Sequence, residues 1–225
     1  AVEAAGLKLF AEAGARSQTV TAVHSPVDST ELVTYMSDRH NILISGGQGD
    51  DNIWAGYDDD EVTGDGGNDE IWGQDGDDTL AGNFGQDTIS GGEGHDHIRG
   101  NQDDDVLGGG GGDDVMAGDG GYDLMSGGNG DDCMDGGDDG DEMYGDAGDD
   151  EMDGGRGADY MDGGLDNDFV YGSFGNDTIY GDQGQTGGGD DTLLGGNGSD
   201  ELYGGKDSDC LIADRGNDTL TGGED

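Results

Sequence analysis

Gly46-Gly47-Gln48-Gly49-Asp50-Asp51-Asn52-Ile53-Trp54 is followed, with no slip in frame, by fourteen further nine-residue units beginning at 55, 64, 73, 82, 91, 100, 109, 118, 127, 136, 145, 154, 163 and 172. A sixteenth unit starts at Gly181 and carries five extra residues, Gln185 to Gly189, before three more begin at 195, 204 and 213. Position 1 is glycine in seventeen of the nineteen units, with Ala55 and Ala213 the exceptions. Position 4 is glycine in fourteen units and aspartate in five (Asp58, Asp103, Asp139, Asp166, Asp207). Position 6 is aspartate and position 8 is Ile, Val, Leu or Met in all nineteen. A fixed period of this length marks a repeat architecture.

Around this frame the chain has 225 residues, 55 acids against 7 bases, a net charge of −48 and an apolar content of 29%. Composition alone would read as disorder, because high charge with little apolar surface cannot offset chain entropy; the strict period overturns that reading. No long apolar run offers a membrane span. The charge repels phosphate and no basic patch exists, which argues against nucleic acid. Two cysteines make no disulfide framework. The chain divides at about residue 45: residues 1–45 carry a net −2, whereas 46–225 carry −46 and 51 of the 53 glycines. In the first piece, read as a non-repeat cap or linker, Ala4 to Ala13 suits a short amphipathic helix, and Gln18–Val23 and Glu31–Met36 alternate as strands do. The chain begins at Ala1 without a signal segment, which reads as processing or as a piece of a longer protein.

The repeat resembles the RTX, or hemolysin-type, calcium-binding nonapeptide G-G-x-G-x-D-x-U-x. Gly46–Trp54 fits at every fixed position, as does Gly127-Gly128-Asn129-Gly130-Asp131-Asp132-Cys133-Met134-Asp135. The resemblance implies an all-β parallel β-roll, two units to a turn of eighteen residues. Units n and n+2 then stack about 4.8 Å apart, and the rod is about 45 Å long. Each position agrees. Glycine permits positive φ and close backbone approach, and aspartate tolerates the left-handed region better than most residues. Positions 7–9 form a short strand, so position 8 faces inward and 7 and 9 outward.

One inward aliphatic per nine residues is a thin core, and carboxylates stacked a turn apart repel. A cation between the loops is the missing element. Carboxylate and carbonyl oxygens in flexible loops suit calcium better than magnesium, and no His/Cys cluster favours a transition metal. The resemblance implies that each ion takes carbonyls at positions 2 and 4 and the position-6 aspartate of one loop. From the loop two units on come carbonyls at positions 1 and 3 and its own aspartate. The first site would use Gly47, Gly49 and Asp51 with Gly64, Gly66 and Asp69. The remaining aspartates of the set are Asp60, Asp78, Asp87, Asp96, Asp105, Asp114, Asp123, Asp132, Asp141, Asp150, Asp159, Asp168, Asp177, Asp191, Asp200, Asp209 and Asp218. About seventeen calcium sites result, and seventeen divalent ions would leave −14 of the −48.

Met116, Met125, Met134, Met143, Met152 and Met161 fill six consecutive position-8 slots and read as core rather than as a redox stripe. Cys133 and Cys210 lie four turns apart on one side, about 19 Å, too far for a mutual disulfide. Odd units present Trp54, Trp72, Tyr144, Tyr180 and Tyr203 at position 9, with Tyr160 at position 7. Late even units present Phe169, Tyr171, Leu194 and Ile212. These outward residues read either as cross-strand stacking or as a docking face for a protein or glycan. His95 and His97 read as exposed loop residues. There is no H-E-x-x-H or G-x-S-x-G motif and no arguable Ser-His-Asp set, so no catalytic role is expected. The resemblance implies a module secreted by the type I route, open in a low-calcium cytosol and folded outside. The chain ends inside a repeat at Asp225, which reads as the family's C-terminal secretion signal being either missing or not included. Two other readings stand beside it: a calcium-stabilised docking rod within a larger surface assembly, and a glycan-associated module of a secreted enzyme, as in alginate epimerases.

Overall fold

The computed structural model describes residues 20–24, 33–35, 42–184 and 187–223. The segment expected as a helix, Ala4 to Ala13, lies outside them. The described residues form a parallel β-solenoid of about ten turns, from residue 43 to residue 221, with two flat sheets facing each other. The first sheet runs from Val20–His24 and Ile42–Gln48 through Glu61–Gly66 to Cys210–Ile212. The second runs from Val33–Tyr35 and Asn52–Tyr57 through Glu70–Asp75 to Thr219–Thr221. Successive strands alternate between sheets, so units n and n+2 are hydrogen-bonded neighbours. The register is eighteen residues throughout the regular part, as in Ile53↔Ile71 and Met125↔Met143.

The two strands expected in the first 45 residues appear as Val20–His24 and Val33–Tyr35, and they pair with Ile42–Gln48 and Asn52–Tyr57. Strand Ile42–Gln48 crosses the sequence boundary at residue 45, and Ile44 already occupies an inward, fully buried slot. The five-residue insertion is absorbed between strands. Phe169↔Thr192 and Val170↔Leu193 pair at a spacing of twenty-three, after which eighteen resumes.

Strands are longer than the three residues expected. From Asn52–Tyr57 to Tyr160–Leu165 they run six or seven residues, through position 3 of the following unit. Position 1 drops out of the bridge register, as between Trp54↔Trp72 and Gly56↔Gln74. From Phe169 on, most shorten to positions 7–9. Position 8 forms the core: Ile53, Val62, Ile71 and their counterparts as far as Leu202 are at most 2% exposed. The six methionines all lie in it, three against each sheet, where an unbranched thioether fills the narrow space between the sheets. At the C-terminal end Leu211 is only partly buried and Leu220 is 46% exposed.

Cys133 and Cys210 are exposed thiols in the first sheet, four strands apart. Outward aromatics stack along the second sheet. Trp54 and Trp72 lie parallel at 4.7 Å, Tyr180 and Tyr203 at 4.8 Å, and Tyr160 is tilted against Tyr144 and Tyr180.

Because Met134 is 1% exposed at mid-rod, Met134→Ala should destabilise the folded chain by about 2–5 kcal/mol, and Met134→Leu by less than about 1.5 kcal/mol. Denaturant unfolding measures both; equal effects would mean that the interior is not packed.

Candidate metal centre

Every turn presents two loops, each ending in the position-6 aspartate. The backbone of that aspartate is fully engaged. The Asp51 N–H donates to Asp69 Oδ1 at 2.7 Å, and the Asp51 carbonyl accepts from the Glu70 N–H at 2.8 Å. The same N–H to Oδ1 bond links each aspartate to the one a turn later. One ladder continues from Asp69 through Asp87, Asp105, Asp123, Asp141, Asp159, Asp177 and Asp200 to Asp218. The other joins Asp60, Asp78, Asp96, Asp114, Asp132, Asp150, Asp168, Asp191 and Asp209. The insertion leaves the second ladder continuous: the Asp168 N–H reaches Asp191 Oδ1 at 2.9 Å.

These carboxylates lie inside the loops. From Asp51 to Asp200 they are 1–4% exposed. Their second oxygen, Oδ2, is buried without a hydrogen-bond partner at Asp69 and at every position-6 aspartate from Asp78 to Asp209. A buried carboxylate oxygen with no donor is costly, and here it recurs at each turn. Each Oδ2 faces position 1 of its own unit and the position-1 carbonyl one turn on. A Cβ built on Gly64 would stand 2.2 Å from Asp69 Oδ2 and 3.0 Å from the Gly82 carbonyl. At Gly46 the corresponding atoms, Asp51 Oδ2 and the Gly64 carbonyl, are both at 2.7 Å. Carboxylate and carbonyl oxygens thus converge with no donor between them, the environment a hard cation requires. No cluster of three or more His, Cys, Asp or Glu side chains gathers among the described residues. The donor set is instead paired carboxylates with backbone carbonyls, and it fits calcium.

For the first expected site, Asp51, Asp69 and Gly64 come together. Gly47 and Gly49 take φ of 105° and 109°, and the Gly49 carbonyl lies 2.4 Å from the point where a Cβ on Gly67 would stand. The Gly66 carbonyl already accepts the Gly49 N–H at 2.5 Å. The position-3 carbonyl therefore serves the inter-turn ladder as well as any ion.

Burial, reinforced by the aspartates one turn away, lifts these acids far above the ordinary carboxylate value. Asp105 and Asp168 rise to about 8; Asp69, Asp78, Asp114, Asp141, Asp150 and Asp177 rise to about 7. The hydrogen bond from the neighbouring backbone N–H opposes the rise without cancelling it.

Sequence reasoning missed a second ladder. At position 5, Asp or Asn fills twelve of the nineteen units. Its Oδ1 accepts the N–H one turn later, as in Asn68 N–H to Asp50 (2.9 Å), Gln86 N–H to Asn68 (3.1 Å) and Asn167 N–H to Asp149 (2.9 Å). At His95 the Nδ1 does the same for the Asp113 N–H at 2.8 Å. The in-frame recurrence of Asp and Asn was the available signal.

The titration has a definite sign. An aspartate whose folded pKa lies above its unfolded value favours the fold when protonated; that stability is complete below the unfolded pKa and lost as pH rises through the folded one. Without metal, the chain should therefore gain strand structure on acidification from pH 8 to pH 5, read by far-UV circular dichroism. With calcium the direction reverses, since protons compete for the same oxygens. An apo chain indifferent to pH across this window would contradict the buried carboxylate ladder.

A family model described as RTX calcium-binding nonapeptide repeat (4 copies) matches residues 43–71, 72–107, 108–143, 135–170, 159–186 and 185–220. No curated protein matches the chain.

Proposed function

Because the chain belongs to the RTX calcium-binding nonapeptide repeat family, whose repeats bind Ca2+ at multiple sites, we propose that it is a calcium-switched folding module that works outside the cell. The observation that carries this reading is the double ladder of buried position-6 carboxylates, each from Asp69 to Asp209 with an Oδ2 lacking a donor. In a calcium-poor compartment no cation bridges them, and the ionised repeats of the open chain, at net −46, repel one another. Where calcium is abundant, ions fill the cages between loops n and n+2, and binding supplies the free energy of folding. Such a chain passes an export channel unfolded and sets outside, consistent with type I secretion. The role is binding rather than catalysis.

The expected behaviour is a cooperative gain of strand signal and a collapse of hydrodynamic radius at about 0.1–1 mM calcium, with magnesium ineffective. Asp105→Asn should raise the midpoint and lower the number of ions bound, because this carboxylate accepts the Asp87 N–H of the preceding turn and leaves a buried Oδ2 without a donor. A chain compact without calcium at neutral pH, or one folded equally well by magnesium, would overturn the switch.

A second reading, a docking rod in a larger assembly, draws on the exposed Phe169, Phe174 and Ile212 on the late part of the first sheet. A stoichiometric partner in native mass spectrometry of the calcium-loaded chain separates it from a free module.

A further inference from the structure

The outward face of the second sheet changes character over three adjacent strands, Thr88–Glu93, Val106–Gly111 and Leu124–Asn129. In a chain with 55 acids these strands carry one charged side chain, Glu93, at the far end. Their position-9 residues are Ser90, Gly108 and Ser126, in register with one another. The same row continues to Trp72 on one side and Tyr144 on the other. It is therefore a trough with a floor of small side chains and an aromatic wall at each end, about 19 Å from wall to wall at the strand spacing.

The walls face inward along the trough. Trp54 covers one face of the Trp72 indole, parallel at 4.7 Å and 5°. On the other face the next residue in register is Ser90, too short to cover an indole. Tyr144 likewise leans on Tyr160 on one side and meets Ser126 on the other. Each wall is paired with a carboxylate two residues earlier on its strand, Glu70 beside Trp72 and Glu142 beside Tyr144, and the Tyr144 hydroxyl donates to Glu142 at 2.5 Å. Beside the floor, Val106 and Leu124 are 43% and 40% exposed.

Gly108, at the centre of the floor, is small for no reason internal to the fold, whereas Ser126 at its edge is engaged, its Oγ donating to Asp146 Oδ2 at 2.6 Å. Gly108 is the one glycine among the nineteen position-9 residues. It is not in the left-handed region, and a Cβ there would meet nothing nearer than the Ile89 carbonyl at 4.0 Å. Neither backbone conformation nor packing demands the missing side chain. What it provides is clearance between Trp72 and Tyr144.

We propose that this trough binds a neutral glycan chain. Aromatic faces stack on the apolar faces of sugar rings, the Ser90 hydroxyl, the Ser126–Asp146 pair and the flanking glutamates supply hydrogen bonds to sugar hydroxyls, and exposed Val106 and Leu124 meet the remaining C–H surface. The acidic surroundings, with the Asp146 carboxylate held beside Ser126 among them, reject polyanionic chains, while a neutral chain meets no such repulsion. The proposal takes the calcium-loaded roll as the folded state.

The test is affinity electrophoresis and calorimetry of the calcium-loaded chain against glucan, mannan and galactan oligomers, with alginate as the polyanionic counter-probe. At least one neutral glycan should bind. Trp72→Ala should weaken it about tenfold. Gly108→Glu and Ser90→Arg, which fill the floor with opposite charges, should each abolish it, and Gly108→Ser should retain it. Circular dichroism of the same samples separates loss of binding from loss of the calcium-dependent fold. Binding of none of the neutral glycans, of alginate alone, or binding untouched by the floor and wall substitutions would overturn the proposal.

Discussion

Like charges held one turn apart decide the rest of this molecule. Each position-6 carboxylate sits about 5 Å from the next along its ladder, where two unit charges at an effective dielectric of about 20 repel by about 3 kcal/mol. Protein donors answer only half of the problem. One oxygen accepts the neighbouring backbone N–H, and from Asp69 to Asp209 the other has no hydrogen-bond partner. Protonation or a divalent ion can satisfy it, and only the ion also bonds to the carbonyl opposite. The loops are thus shaped for a hard divalent ion such as calcium.

The glycines serve that ladder in two different ways. Positions 2 and 4 need positive φ, and where glycine is absent the substitutes are polar and mostly acidic: Asp58, Asp103, Asp139, Asp166 and Asp207 at position 4, with φ of 67–76°. Position 1 is different. Its φ is ordinary, and glycine stands there because the carboxylate of its own unit needs the space. A Cβ on Gly82 would stand 2.0 Å from Asp87 Oδ2. Ala55 shows that the carboxylate can give way, since Asp60 remains buried beside it. A position-1 side chain therefore costs cage geometry rather than backbone conformation.

Much of this was legible in the sequence, because a period of nine with invariant Asp and aliphatic positions leaves few ways to fold. Ile53 through Leu202 face inward, and the position-6 aspartates line the loops, as their spacing implies. Asp191 keeps its rung despite the insertion, because a loop can lengthen at the surface without moving the strands it joins. Three features were not legible. Strand length through positions 1–3 depends on hydrogen bonds between turns, which no single unit reveals. The clearance role of position 1 looks like any other glycine until the carboxylate is placed beside it. The position-5 ladder hid among acids that the calcium reading already explained.

A fold fixed at positions 1, 2, 4, 6 and 8 leaves the outward columns 7 and 9 unconstrained by the cages. Their composition then reports something other than calcium. If the outer face merely followed the acidic bias of the loops, carboxylates would be spread along it, as Glu61, Glu70, Glu142, Glu151 and Glu201 are at position 7. Instead, acids vanish from columns 7 and 9 over three consecutive strands in the middle of each sheet, and in the second sheet a glycine appears where the backbone does not need one. Aromatic rings bound the gap on both sides. In a parallel solenoid, side chains in one column stack along the whole rod, and a wide side chain in the middle of a column would close the space between its neighbours. Keeping that space open across Ser90, Gly108 and Ser126 forgoes cross-strand contacts that normally stabilise a sheet. The rod thus separates two sets of positions within the same nine residues: the loops carry the calcium-binding oxygens, and the outer columns are free of that constraint.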